Sequence, residues 1–95
     1  MPYIRLSIAK PRRGEEARLE EVMRKLADLS ASQNGCLQTF VLRPHDDSGD
    51  IARIAIYSDE VTAEHVANTQ SFLALRSELH LLAEPGQVER AFFSI

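Results

Sequence analysis

Nine arginines against two lysines, in a chain of net charge −3, is an uneven way to carry positive charge. Three of those arginines stand where apolar residues should dominate. Arg5, Arg53 and Arg90 each lie inside a short alternating segment, and Tyr3 and Tyr57 share the alternation of Arg5 and Arg53. Guanidinium tolerates partial burial better than ammonium and presents a flat fork of N–H donors. Gathered in a water-poor cavity, such groups stabilise an anion, an enolate or phenolate included. Tyr57 beside them can donate a hydrogen bond or relay a proton. His65, whose ordinary pKa is about 6.5, suits a general base that takes a substrate proton. Asn68, on the next turn, could orient a carbonyl or dioxygen, and Phe72 and Phe92 supply apolar wall. Each has a plainer alternative. The arginines could pair with carboxylates such as Glu89 across a subunit interface, and His65 could be an exposed helix residue beside Glu64.

The elements that must position these groups follow from periodicity. Tyr3–Ala9 alternates, with Ile4, Leu6 and Ile8 opposite Tyr3, Arg5 and Ser7. The segment 51–58 sets Ala52, Ile54 and Ile56 against Ile51, Arg53, Ala55 and Tyr57, and 88–95 sets Ala91, Phe93 and Ile95 against Val88, Arg90, Phe92 and Ser94. A period of two places each set on one side of a sheet. The aliphatic side reads as a plain core. The mixed side, too greasy for solvent and too charged for a monomer's interior, reads as the seam with a second subunit and a partly polar cavity. The segment 36–43 is a fourth strand whose alternation leaves its facing open. Either Phe40 and Leu42 or Leu37 and Val41 turn to the helices.

Between the first two strands, Leu19, Val22, Met23, Leu26 and Leu29 recur at helical spacing. Glu15 and Glu16 favour the start of that helix, Glu20–Arg24 and Glu21–Lys25 support it at i,i+4, and Asn34-Gly35 stops it. A second helical region begins at 59–66, breaks over 68–71, and resumes with Phe72, Leu75, Leu79 and Leu82, capped by Thr69 or Ser71. The order β-α-β-β-α-β predicts an α+β, ferredoxin-like fold: one antiparallel sheet with helices on one face. Two copies packed sheet to sheet would form a homodimeric α/β barrel.

Composition narrows the partners. Ninety-five residues, 44% hydrophobic and 26% charged, make a single domain, 1–95. Its acidic balance argues against nucleic acid or an anionic membrane. A lone Cys36 and the lack of an apolar run point to a cytoplasmic protein. Cys36 reads as a small apolar residue and His80 as a structural one at a helix end. His45 with Asp46, Asp47 and Asp50 is a turn lacking the calcium-loop pattern, so no metal is expected. No Walker loop, dinucleotide fingerprint, zinc spacing or Ser-His-Asp order is present, and no cofactor is expected.

Several stretches carry a resemblance: Pro11 and Gly14-Glu15-Glu16 opening the first helix, Asn34-Gly35-Cys36-Leu37, a strand ending in Tyr57 before Ser58-Asp59-Glu60, and 64–72. Over its full length the chain resembles the antibiotic biosynthesis monooxygenase family of dimeric α/β barrels, which includes cofactor-independent oxygenases of quinols and polyketide anthrones. The resemblance implies a strand-end aromatic at Tyr57 where tryptophan is common, and a functional arginine at Arg76. It sets Arg53 where anthrone-oxidising members carry asparagine, and Ala63 near their helix tyrosine. The heme-degrading members match worse, with Val66 near their tryptophan and Arg76 near their ligating histidine. The resemblance thus implies a monooxygenase acting between sheet and helices; taken with the residue pattern, it makes His65, Arg76 and Tyr57 the catalytic candidates and Tyr3, Arg5, Arg53, Asn68, Phe72, Arg90 and Phe92 the substrate-binding ones. Replacing His65 or Arg76 should then cut turnover by about 10² or more. An isomerase or epimerase of a small oxo-acid, or a non-catalytic binding dimer, are the alternatives.

Overall fold

Alternation in the first segment does make a strand, β1 (Tyr3–Ala9), and it takes a central place in the sheet. The computed structural model describes residues 1–95. Around β1 lie α1 (Glu16–Ala31), β2 (Cys36–Leu42), β3 (Ile51–Tyr57), α2 (Glu60–Ala67), α3 (Gln70–Leu82) and β4 (Val88–Phe93). The strands run in the order β2-β3-β1-β4 and every pairing is antiparallel. The anticipated break in the second helical region is real. Asp59 caps α2 by accepting from the Thr62 N–H at 2.8 Å, and the Thr69 hydroxyl, not Ser71, caps α3 by accepting from the Phe72 N–H at 3.4 Å. No helix is long and apolar enough to cross a membrane.

Which side of the sheet the helices cover departs from the sequence reading. Tyr3, Ile51, Ala55 and Tyr57 join one buried cluster with Leu19, Met23 and Leu26 of α1, Val66 of α2, and Phe72 and Leu79 of α3. Ser7 and Arg53 are buried on that same side. The mixed face is therefore the inner one, and Ile4, Leu6, Ile8, Ile54 and Ile56 on the aliphatic face are only half-buried. The reason is spatial. Under the helices, the large Tyr3, Tyr57 and Phe72 side chains fill volume while the arginine stems pack as hydrocarbon.

β4 also sits in the opposite phase from the one its alternation suggested. Its register sets Phe92 across from Ile4 and Ala91 across from Arg5, and opposed residues share a face. Phe92, Arg90 and Val88 thus belong to the open side, while Phe93 stacks edge-on against Tyr3 with ring centroids 5.2 Å apart. In β2 a register shift between Cys36 and Gln38 accounts for the poor alternation. Beyond it, Phe40 pairs with Ile54 and Leu42 with Ala52 on the open side, and Val41 turns to the helices beside Arg53. The expected Glu20–Arg24 pair is loose at 3.9 Å, because Arg43 takes Glu20 with two hydrogen bonds of 2.6 and 3.2 Å. That contact holds the Glu20 carboxyl below its ordinary pKa.

Gly35 makes the exit from α1 possible. Its φ is +88°, and a Cβ there would lie 2.7 Å from Thr62 Cγ2, while its carbonyl accepts from the Ser58 N–H at 2.8 Å. Gly35→Ala combines left-handed strain with a clash against α2, and is expected to cost about 2–3 kcal/mol. Gly49, with φ +78° but open space around it, should cost only about 1 kcal/mol when made alanine. Urea midpoints of the two variants check the difference.

Candidate active site

Between the mixed sheet face and the helices lies a cavity of about 270 Å3. Tyr3, Arg5 and Ser7 of β1 and Arg53 and Tyr57 of β3 form its floor, placed by the period of two. Ala63 and Ala67, one turn apart on α2, and Phe72, Arg76 and Leu79 on α3 form the roof. Gln87, just before the edge strand, and Glu89, Arg90 and Ala91 on it bound the cavity on that side. Small alanines on α2 leave the room that a larger side chain would fill.

Arg53 is the decisive residue. It is 8% exposed, its guanidinium lies 5.5 Å from the Phe72 ring centroid, and its buried Nε has no hydrogen-bond partner in the protein. Burial pushes its pKa below the ordinary arginine value; Tyr57 and Glu89 oppose that push, while Arg5 and Arg76 add to it. Arg5 repeats the pattern. Its guanidinium lies 5.5 Å from the Tyr3 centroid, and its Nε is likewise buried and unpartnered. A cation–π contact uses none of a guanidinium's N–H donors, and those donors are what grip a carboxylate or enolate oxygen.

Arg76 is arranged differently. At the cavity's rim it donates to Glu89 at 2.6 Å, and Glu89 also accepts from Gln87 at 2.8 Å. Both charged side chains are about two-fifths exposed, at 39% and 41%, so the bridge itself contributes little stability. The pairing foreseen between an arginine and Glu89 thus occurs within one chain, and it involves Arg76 rather than the deeper arginines.

The cavity therefore unites Tyr3, Arg5, Arg53, Tyr57, Phe72 and Arg76. Arg90 borders it, but its guanidinium lies 5.2 Å from the Phe92 centroid on the open side of the sheet. Phe92 belongs wholly to that open side. His65 and Asn68 are exposed and do not line the cavity. The inward residues of α2 are Ala63, Val66 and Ala67, which turns His65 to solvent, and the Asn68 amide donates to the Glu64 carbonyl at 2.8 Å as part of the helix end. His65→Ala is accordingly expected to hold turnover within a factor of about three, a surface-substitution effect checked by steady-state rates. Gln87 escaped the sequence reading because it sits in the turn before β4. Its spacing of two from Glu89 was the available signal.

Elsewhere, a more open groove of about 500 Å3 between α1 and β2 is lined by Glu20, Asp28, Arg24 and Arg43, whose charges balance. No group of three or more His, Cys, Asp or Glu side chains is placed to hold a metal ion. The half-buried Cys36 thiol is pushed up in pKa by desolvation, which keeps it unreactive.

A family profile, described as antibiotic biosynthesis monooxygenase, matches residues 3–78, which hold every element through most of α3. The chain belongs to the antibiotic biosynthesis monooxygenase family. Solved structures agree on the fold of this family member. SnoaB, a cofactor-independent oxygenase from Streptomyces nogalater, superposes with a TM-score of 0.86 at 20% identity, over 99% of this chain and 93% of that one. Rv0793 from Mycobacterium tuberculosis gives 0.90 at 13% identity, over 100% and 96%. PA3566 from Pseudomonas aeruginosa gives 0.85 at 22% identity, over 99% and 94%. At such identities the likeness carries the fold of the family and not its substrate. No curated relative matches the chain by sequence.

Proposed function

We propose that this protein is a cofactor-independent monooxygenase, working as a homodimer on a small quinol-like or aromatic ketone substrate held between sheet and helices. The observation that supports it is a cavity whose deepest charged group, Arg53, is buried with an unpaired donor. The positive field of such a cavity draws in an acidic substrate, lowers its pKa and favours the anion that forms. That anion is what oxygen chemistry needs when no cofactor supplies electrons. A ring carbon next to a carbonyl loses its proton, and the carbanion gives one electron to dioxygen. The two radicals combine as a peroxide, and loss of water leaves a new carbonyl. A CH2 group and O2 become C=O and H2O, so the substrate is itself the reductant. Arg76, at the rim, is assigned to the developing charge and Tyr57 to relaying the proton. SnoaB, which shares the fold, is a cofactor-independent oxygenase, and its activity favours this reading over enolisation alone.

Dimerisation is part of the proposal. The open sheet face gathers Ile4, Leu6, Ile8, Ile54, Ile56, Phe40, Leu42, Val88 and Phe92, with Arg90 and Gln38 among them. An apolar surface of this extent calls for a partner, and a second copy of the same sheet covers it. Turnover in an 18O2 atmosphere tests the chemistry. One labelled oxygen in the product is expected, and product formed equally well without oxygen would replace the oxygenase with an isomerase.

A further inference from the structure

We infer that the substrate carries a permanent carboxylate of its own, apart from the carbon that reacts, and that Arg5 and Arg53 bind it. The word substrate here rests on the enzymatic reading above; the binding site does not. Three cavity guanidiniums, on Arg5, Arg53 and Arg76, face one carboxylate, Glu89, which is engaged by Arg76 and Gln87. Two positive charges therefore stay uncompensated inside a chain of net charge −3, so the cavity's sign is not a by-product of a basic composition.

A charge that develops only during reaction does not answer this arrangement. Arg53 is a buried cation and Arg5 a half-buried one before any chemistry starts, each with an unpartnered, buried Nε. Burying an uncompensated cation is costly, and the cation–π contacts with Tyr3 and Phe72 offset only part of that cost. A ligand anion present from the moment of binding completes both sites with charge-assisted hydrogen bonds. A planar carboxylate matches the free edge of a guanidinium in geometry as well as charge. Size narrows the class further. A cavity of about 270 Å3 lies just below the range of drug-sized pockets, roughly 300–1,000 Å3, and so fits a one- or two-ring acid.

The test is calorimetric titration of the full chain, under nitrogen, with 2,5-dihydroxybenzoate and with 2,5-dihydroxybenzamide. These probes share size and ring chemistry and differ in charge. Wild type is expected to bind the benzoate at least about tenfold more tightly, since a neutral analogue leaves buried charges unpaired. Arg53→Met should erase that preference, Arg53→Lys should restore part of it, and Arg24→Met, on the outer face of α1, should leave it intact. Thermal melts of each variant establish that it is folded. Equal affinities in wild type, a preference that survives Arg53→Met, or binding of neither probe at millimolar concentration would each overturn the inference. Oxygen uptake is read separately. A charge preference without uptake keeps the carboxylate site and removes the oxygenase, and uptake with no charge preference does the reverse.

Discussion

Ile54→Asp is expected to turn the proposed dimer into a monomer. Ile54 lies on β3 between Leu6 of β1 and Phe40 of β2, near the middle of the open sheet face. In a symmetric face-to-face pairing the substitution enters the interface twice, burying two carboxylates without partners. Each such burial costs several kcal/mol, enough to raise the dimer dissociation constant by roughly 10³ or more. Sedimentation velocity reads the outcome directly. Val61→Asp, on the solvent side of α2 where Val61 is 79% exposed, should leave the dimer unchanged. Phe92→Asp should weaken it less than Ile54→Asp does, since Phe92 lies on the edge strand. A wild-type protein that sediments as a monomer would remove the dimer altogether.

The second large effect runs in two directions at once. Arg53→Met should lower kcat/KM for an anionic substrate by about 10² or more, and it should also raise the melting temperature of the ligand-free protein. The activity loss follows from removing a buried charge that meets the substrate anion. The gain in stability follows from the same burial. Methionine keeps the apolar stem and packs against Phe72, while the desolvated, unpaired guanidinium disappears. Replacing buried charge by apolar volume is worth roughly 1–4 kcal/mol in favourable cases. A variant that lost both activity and stability would mark Arg53 as a structural residue. One that gained stability while losing turnover identifies a group maintained at the expense of the fold. Arg76→Met should differ, because its bridge to Glu89 is half-exposed. Turnover falls while the melting temperature barely moves.

The contrast between those two arginines shows how far the sequence could be read. Strand and helix positions were legible because their periods are strong, and Thr69 and Gly35 announced their turns. Period two, however, separates two faces without saying which one is covered. Ile4, Leu6, Ile8, Ile54 and Ile56 looked like a core because hydrophobicity is local information, whereas coverage depends on where the helices cross. In β4 both faces carry apolar residues, so only the pairing of Phe92 with Ile4 fixes its phase. The shift at Cys36 and Gln38 hid the facing of β2 for a related reason, since one irregular step inverts every side chain after it. His65 was a different kind of miss. Ala63, Val66 and Ala67 already form an apolar stripe at i, i+3 and i+4, and His65 lies off it. The convergence of Arg5, Arg53 and Tyr57 was visible in their shared alternation. That the helices cover this mixed face, and leave the aliphatic face open, was not.

The most direct test is a crystal structure of the purified protein soaked with 2,5-dihydroxybenzoate. The expected result is a carboxylate within hydrogen-bond distance of the Arg53 or Arg5 guanidinium, with the ring beside Tyr57 under α2 and α3. A cavity closed around an Arg53–Glu89 pair, with the probe absent or bound elsewhere, would contradict it.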